Sequence, residues 1–258
     1  GSDLGFDTLK QMSNELPNQF FMEGISEQYL VGFVSGLAKE GFIPYVNTIA
    51  NFFTRRAYEQ IAMDTALHQL PVRFLANGGG MAYAPLGPTH TAIEDLGLML
   101  MIPGMRVFSP VDSNEMRELL KISVGDPNPW FIRFGKGDEP NITENNQKNP
   151  EVPKFFGKDS PEILFVSTGI ISQHSLNSVN YLNDATQISS ALVHIPELSN
   201  LNFDTWRNKF ENAKFVIVAE EHIIYGGLFS KIIHMLNFLN IDSRKVFSKS
   251  LPFIYQHK

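Results

Sequence analysis

The run Val72-Arg73-Phe74-Leu75-Ala76, closed by Asn77-Gly78-Gly79-Gly80, decides the fold class. A short, mostly apolar run bounded by turn formers reads as a buried strand, and the glycines supply a flexible turn. Upstream, residues 51–70 read as a helix stopped by Pro71. Downstream, residues 91–101 place Ile93, Leu96 and Leu100 on one helical face, closed by Pro103-Gly104. Helix, strand and helix in succession predict layered α/β structure around a parallel sheet.

The alternation continues in both directions. Gly32, Phe33, Gly36 and Leu37 recur at helical spacing over residues 26–40, and residues 42–46 read as a strand. Residues 105–108 and 129–134 are further strands. Between them Ser109 is expected to cap a helix, with Pro110 at its first position and Asp112 in its first turn. From residue 135 the apolar periodicity vanishes, and Gly, Pro, Asn, Lys and Glu dominate. A second unit has strands at 163–166, 188–194, 215–219 and 246–248, and helices at 171–182 and from Gly226-Gly227 to 239. The expected architecture is two doubly wound α/β domains with mainly parallel sheets, residues 1–140 and 159–258, joined by a linker at 141–158. Asp3-Leu4-Gly5 reads as the end of a strand, and both chain ends read as trimmed.

Composition narrows the function classes. The 258 residues are 43% hydrophobic and 19% charged, which suits a folded globular chain. A net charge of −6 gives no broad footprint for nucleic acid or an anionic membrane. The most apolar stretch, residues 96–105, is interrupted by Pro103 and is too short to span a bilayer. The absence of cysteine excludes disulfides, thiolate metal sites and a cysteine nucleophile, and fits a cytoplasmic protein.

Several motifs, in order, carry a family likeness. Glu23-Gly24-Ile25-Ser26-Glu27-Gln28 precedes the glycine-bearing helix. Arg56-Ala57-Tyr58-Glu59-Gln60 follows, and then Gly87-Pro88-Thr89-His90 with Glu94-Asp95 one turn on. Together they resemble the pyrimidine-binding domain of transketolases. Glu220-Glu221-His222 and Gly226-Gly227-Leu228 resemble the transketolase C-terminal domain. The resemblance implies thiamine diphosphate chemistry. It also implies a Gly-Asp-Gly site for the diphosphate and its Mg²⁺, to which Gly125-Asp126-Pro127-Asn128 is the nearest approach. The expected protein is therefore the C-terminal half of a split transketolase, two copies of which assemble with two of a partner subunit carrying the diphosphate and Mg²⁺ site.

The likeness also implies roles for particular residues. Glu27 would share a proton with the pyrimidine ring nitrogen, favouring the imino form that deprotonates the thiazolium carbon. Apolar neighbours such as Ile25, Val31 and Phe33 are expected to raise its proton affinity. A plain alternative is a helix-start acid favoured by the macrodipole. Phe53 would stack on the pyrimidine, with Phe52 in the core and Ile25 against the cofactor. Arg56, three residues beyond Phe53, would face an anionic substrate group. His90 would hydrogen-bond substrate oxygens and move protons. Arg133 and Lys136 would contact substrate phosphate, with a solvated loop charge as the competing reading. No metal site is expected in this chain: Glu220, Glu221 and His222 are consecutive and point to different sides, and His68 and His174 read as structural.

Leu86 stands where sugar-specific relatives carry an Asp that reads a substrate hydroxyl. The expected activity is transfer of a two-carbon ketol unit from a ketose to an aldehyde, acting on a sugar or sugar phosphate. The alternatives are a 2-oxoacid decarboxylase or dehydrogenase component, a deoxyxylulose-phosphate-synthase-like enzyme, and a scaffold without turnover.

Overall fold

A computed structural model describes residues 9–186 and 188–255. Asp3-Leu4-Gly5, expected to end a strand, lies outside them. A short helix α1 (Lys10–Glu15) leads into α2 (Glu27–Lys39). The first sheet follows: β1 (Tyr45–Ile49), β2 (Arg73–Asn77), β3 (Arg106–Phe108) and β4 (Trp130–Arg133), all parallel, in the order β1-β2-β4-β3. Every residue of β4 is buried, as expected of an inner strand covered on both faces. Pro44 has no amide hydrogen to donate, so β1 starts after it rather than at 42, and the Pro44 carbonyl accepts from Arg73.

The helix expected over 51–70 is three pieces: α3 (Ala50–Arg56), α4 (Tyr58–Gln60) and a wide π turn, Ile61–Ala66. Ala57 leaves helical geometry between the first two, at φ −126° and ψ 19°. The π turn carries Thr65, whose buried hydroxyl lies 2.6 Å from that of Ser35 on α2. Helix α5 (Asp95–Leu100) starts four residues later than its periodicity suggested. Residues just before it are committed elsewhere: Ala92 bridges Gly80, and the Ile93 carbonyl accepts from Ile223.

Helix α6 (Ser113–Ser123) is capped by Asp112, not by Ser109. The Asp112 carboxylate accepts from the amides of Glu115, Ile142 and Thr143 and from the Thr143 hydroxyl, at 2.7–3.0 Å. It thus caps a helix and pins the chain leaving the first sheet. Burial opposes its charge, but these donors outweigh burial and hold the carboxyl below its ordinary range. Stability from this lowered pKa is present above the ordinary aspartate range and lost as pH falls below it. Asp112→Ala should cost about 2 kcal/mol at neutral pH, read by urea unfolding, and the gap from wild type should close in acid.

Strand β5 (Lys154–Gly157) lies inside the segment read as a linker and pairs antiparallel with β7 (Ser190–His194). The second sheet has the order β5-β7-β6-β8-β9, with β6 (Ile163–Ser167), β8 (Phe215–Ile223) and β9 (Val246–Leu251). Helices α7 (Ile171–Tyr181), α8 (Arg207–Asn212) and α9 (Leu228–Phe238) accompany it. Phe53, Phe74 and Phe131 meet edge to face in the first core, and Phe203, Trp206 and Phe210 do so in the second.

The two sheets are joined through buried polar contacts. His194 Nε2 lies 2.8 Å from Glu115, and its Nδ1 lies 2.8 Å from the Ser172 hydroxyl. Arg106 grips the Glu197 carboxylate through Nε and Nη2 at 3.0 and 2.7 Å. Gly97 of α5 meets Gly226 directly: a Cβ on Gly97 would lie 3.1 Å from the Gly226 carbonyl carbon.

Candidate active site

Glu27 is the first residue of α2, where the helix dipole favours a carboxylate. Its side chain is only 4% exposed. The Ser26 hydroxyl before it donates to the Glu23 carbonyl at 2.9 Å and fixes the approach to the helix. Arg56, the last residue of α3, brings Nη1 to 3.2 Å from both Glu27 oxygens. The acid therefore faces a guanidinium as well as the partly apolar surroundings expected. Ile25 is 73% exposed beside it, and Tyr29 and Phe21 also present exposed apolar surface.

The Arg56 guanidinium carbon lies 3.8 Å over the Phe52 ring. Phe52 meets His90 edge on, at 5.3 Å between centroids. His90 is half-buried, with Nδ1 2.9 Å from the Thr89 hydroxyl. Glu27, Arg56, Phe52 and His90 thus form one continuous line. The two phenylalanines differ in burial. Phe53 is fully buried against Phe74 and Phe131, and Phe52 is the half-buried ring.

Two residues that the sequence reading overlooked hold His90 in this line. Asn51 donates to the Thr89 carbonyl at 3.1 Å, and Arg55 donates to the Pro88 carbonyl at 2.8 Å while pairing with Glu94. They lie four apart on α3, so one helix face grips consecutive carbonyls of the loop. That i,i+4 spacing was the available signal. Gly87 turns the loop at φ 81°, a left-handed value that favours glycine.

Two expected substrate contacts, Arg133 and Lys136, have other partners. Arg133 is buried, 3.0 Å from the buried Asp95 carboxylate, and donates to the Glu221 carbonyl at 2.8 Å. It joins the two sheets. The Lys136 and Gly137 amides already donate to the chain's own Glu139 at 2.9 and 3.1 Å, while the Lys136 ammonium lies 5.8 Å over Tyr83. Leu86 is exposed.

The Glu220 carboxylate accepts from the amides of Leu228 and Phe229 and caps α9. His222 Nε2 accepts from the Gly97 amide at 3.1 Å. Among the described residues no group of three or more His, Asp or Glu comes together to hold a metal ion. Among them, too, no helix is long and apolar enough to cross a membrane.

Residues 1–140 match the family model described as the transketolase pyrimidine binding domain. The chain belongs to the transketolase family. Its fold agrees with a split-gene transketolase solved as an inactive β4 tetramer, at TM-score 0.86 and 28% identity over 97% of this chain and 80% of that one. A transketolase from Pichia stipitis shares the fold at TM-score 0.74 and 20% identity over 92% of this chain and 34% of that one. An apulose-4-phosphate transketolase subunit of Phocaeicola vulgatus is 30% identical over 90% of this chain and 75% of its own length. The 1-deoxy-D-xylulose-5-phosphate synthase of Dictyoglomus turgidum is 32% identical over 95% of this chain. This transketolase-family chain spans 39% of that synthase.

Proposed function

We propose that this chain is the C-terminal subunit of a thiamine-diphosphate-dependent transketolase. It moves a two-carbon ketol unit from a ketose to an aldehyde, with a partner subunit supplying the diphosphate and Mg²⁺ site. The observation that carries this reading is Glu27: a buried carboxyl at a helix start, rimmed by exposed Ile25 and Tyr29 that a second subunit would cover.

The residues present fit the aminopyrimidine end of the cofactor. Asn51 Oδ1 is buried without a hydrogen-bond partner and awaits a donor, and Phe52 offers a half-buried ring beside Glu27's counterion. Bound thiamine diphosphate supplies a carbon nucleophile for opening and remaking a carbon–carbon bond beside a carbonyl. Glu27 holds or shares the proton at the ring nitrogen. His90, fixed through Asn51 and Arg55, donates to a substrate oxygen and takes the proton back. Arg56 binds an anionic group of the donor. The fully buried Phe53 anchors α3 in the core against Phe74 and Phe131, and Lys136 contributes only long-range positive charge. A cytoplasmic workplace accords with a chain that has no cysteine.

The test is reconstitution. The partner subunit, Mg²⁺ and thiamine diphosphate are added, and aldehyde release from ketose phosphates is followed with and without this chain. Release that requires both chains supports the reading. Turnover of pyruvate instead would favour a synthase-like reaction, and partner activity indifferent to this chain would favour a scaffold.

A further inference from the structure

The Glu27–Arg56 contact sets two requirements of the proposed function against each other. Glu27 must engage the pyrimidine, whereas here both its oxygens face a guanidinium at 3.2 Å. Arg56 must reach a donor anion, whereas here it is spent on an acid of its own chain. One guanidinium cannot meet both demands at once.

The geometry shows how the conflict is relieved. Arg56 offers a single nitrogen shared between two oxygens at 3.2 Å each, not the parallel fork of a strong pair. Its side chain is 45% exposed, and its flat head rests on Phe52. Such a contact is weak, and the ring surface supports the head after it lets go. The other cations considered for substrate or loop contacts are engaged elsewhere: Arg55 on Glu94 and Pro88, Arg133 on Asp95, and Lys136 over Tyr83. Among the described residues, Glu27 is the one hydrogen-bonding partner of Arg56.

We propose that Arg56 is an exchangeable counterion: it neutralises Glu27 while the pyrimidine position is open, and passes to the donor's anionic group once Glu27 engages the cofactor. The inference rests on the catalytic reading above and adds an order to it. Cofactor seating creates the anion site, so an anionic donor binds well only after the cofactor.

The exchange can be tested on this chain alone, because Glu27→Gln imitates a carboxyl that no longer needs a counterion. Inorganic phosphate serves as the probe, with binding read from the arginine side-chain NMR signals. Wild type should bind phosphate weakly at Arg56. Glu27→Gln should bind it about fivefold more tightly, the ratio expected for releasing one half-exposed ion pair. The gain should vanish in Glu27→Gln/Arg56→Gln and survive in part in Glu27→Gln/Arg56→Lys. Glu27→Ala provides the same release by a different side chain should the amide disturb α2. Equal phosphate affinity in wild type and both Glu27 variants, or a gain that persists without Arg56, would overturn the proposal. These titrations need neither cofactor nor partner. Failure of the catalytic reading shows separately, as a reconstituted complex without cofactor-dependent turnover.

Discussion

Glu27→Gln should abolish turnover of the reconstituted enzyme while leaving the fold and subunit assembly intact. Glutamine keeps the size and a carbonyl acceptor but cannot share an acidic proton. Losing a positioned proton-transfer group costs about 10²–10⁴ in rate, and under the proposed function this one acts before any donor can react. Stability should change little. The variant removes a buried charge, and the arginine left behind is half-exposed and readily hydrated. The measurement is the steady-state rate at saturating cofactor, beside thermal unfolding and analytical sedimentation of both forms. A variant that turns over within tenfold of wild type would remove Glu27 from the chemistry.

The largest stability effect is expected at Arg133→Met. Asp95 is fully buried, and Arg133 is its cation, 3.0 Å away. Deleting one partner of a buried pair leaves an uncompensated charge, at a cost of about 3–5 kcal/mol. Burial already pushes the Asp95 carboxyl above its ordinary range, and Arg133 is the main force opposing that. Without Arg133 the shift grows. The native variant then holds a proton that the unfolded chain has lost, so its stability falls as pH rises through that window. Urea unfolding should show the larger deficit at pH 8 and a smaller one at pH 5. The double variant Asp95→Leu/Arg133→Met should recover much of the loss, because an apolar pair needs no counterion. A deficit below about 1 kcal/mol in the single variant would show that the pair does not hold the sheets together.

What the sequence disclosed, and what it withheld, divides along physical lines. Strand β2 and helix α2 were legible because their patterns are local: an apolar run ending in glycines, and a repeat at helical spacing. The placement of Glu27 at a helix start followed from the same pattern. Phe52 and Phe53 were not separable. Adjacent helix positions point about 100° apart, and contact with Phe74 and Phe131, on strands far along the chain, decides which is buried. Arg133 read as a substrate-phosphate contact or a solvated loop charge because its acid lies 38 positions earlier (133 − 95 = 38). Ser109 and Asp112 are both good cap residues. The choice fell to Asp112 because Ile142 and Thr143 return to the same carboxylate. Strand β5 was hidden because it is four residues long and pairs with a strand more than thirty residues later.

The meeting of Gly97 and Gly226 has a mechanical consequence. Where two backbones touch with no side chain between them, there is no cushion to compress and no joint to bend. Any shift of one half of this chain against the other would have to part that backbone contact together with the Arg133–Asp95 and His194–Glu115 contacts. Under the proposed function, opening or closing over a substrate is then expected at the boundary with the partner subunit rather than at this seam.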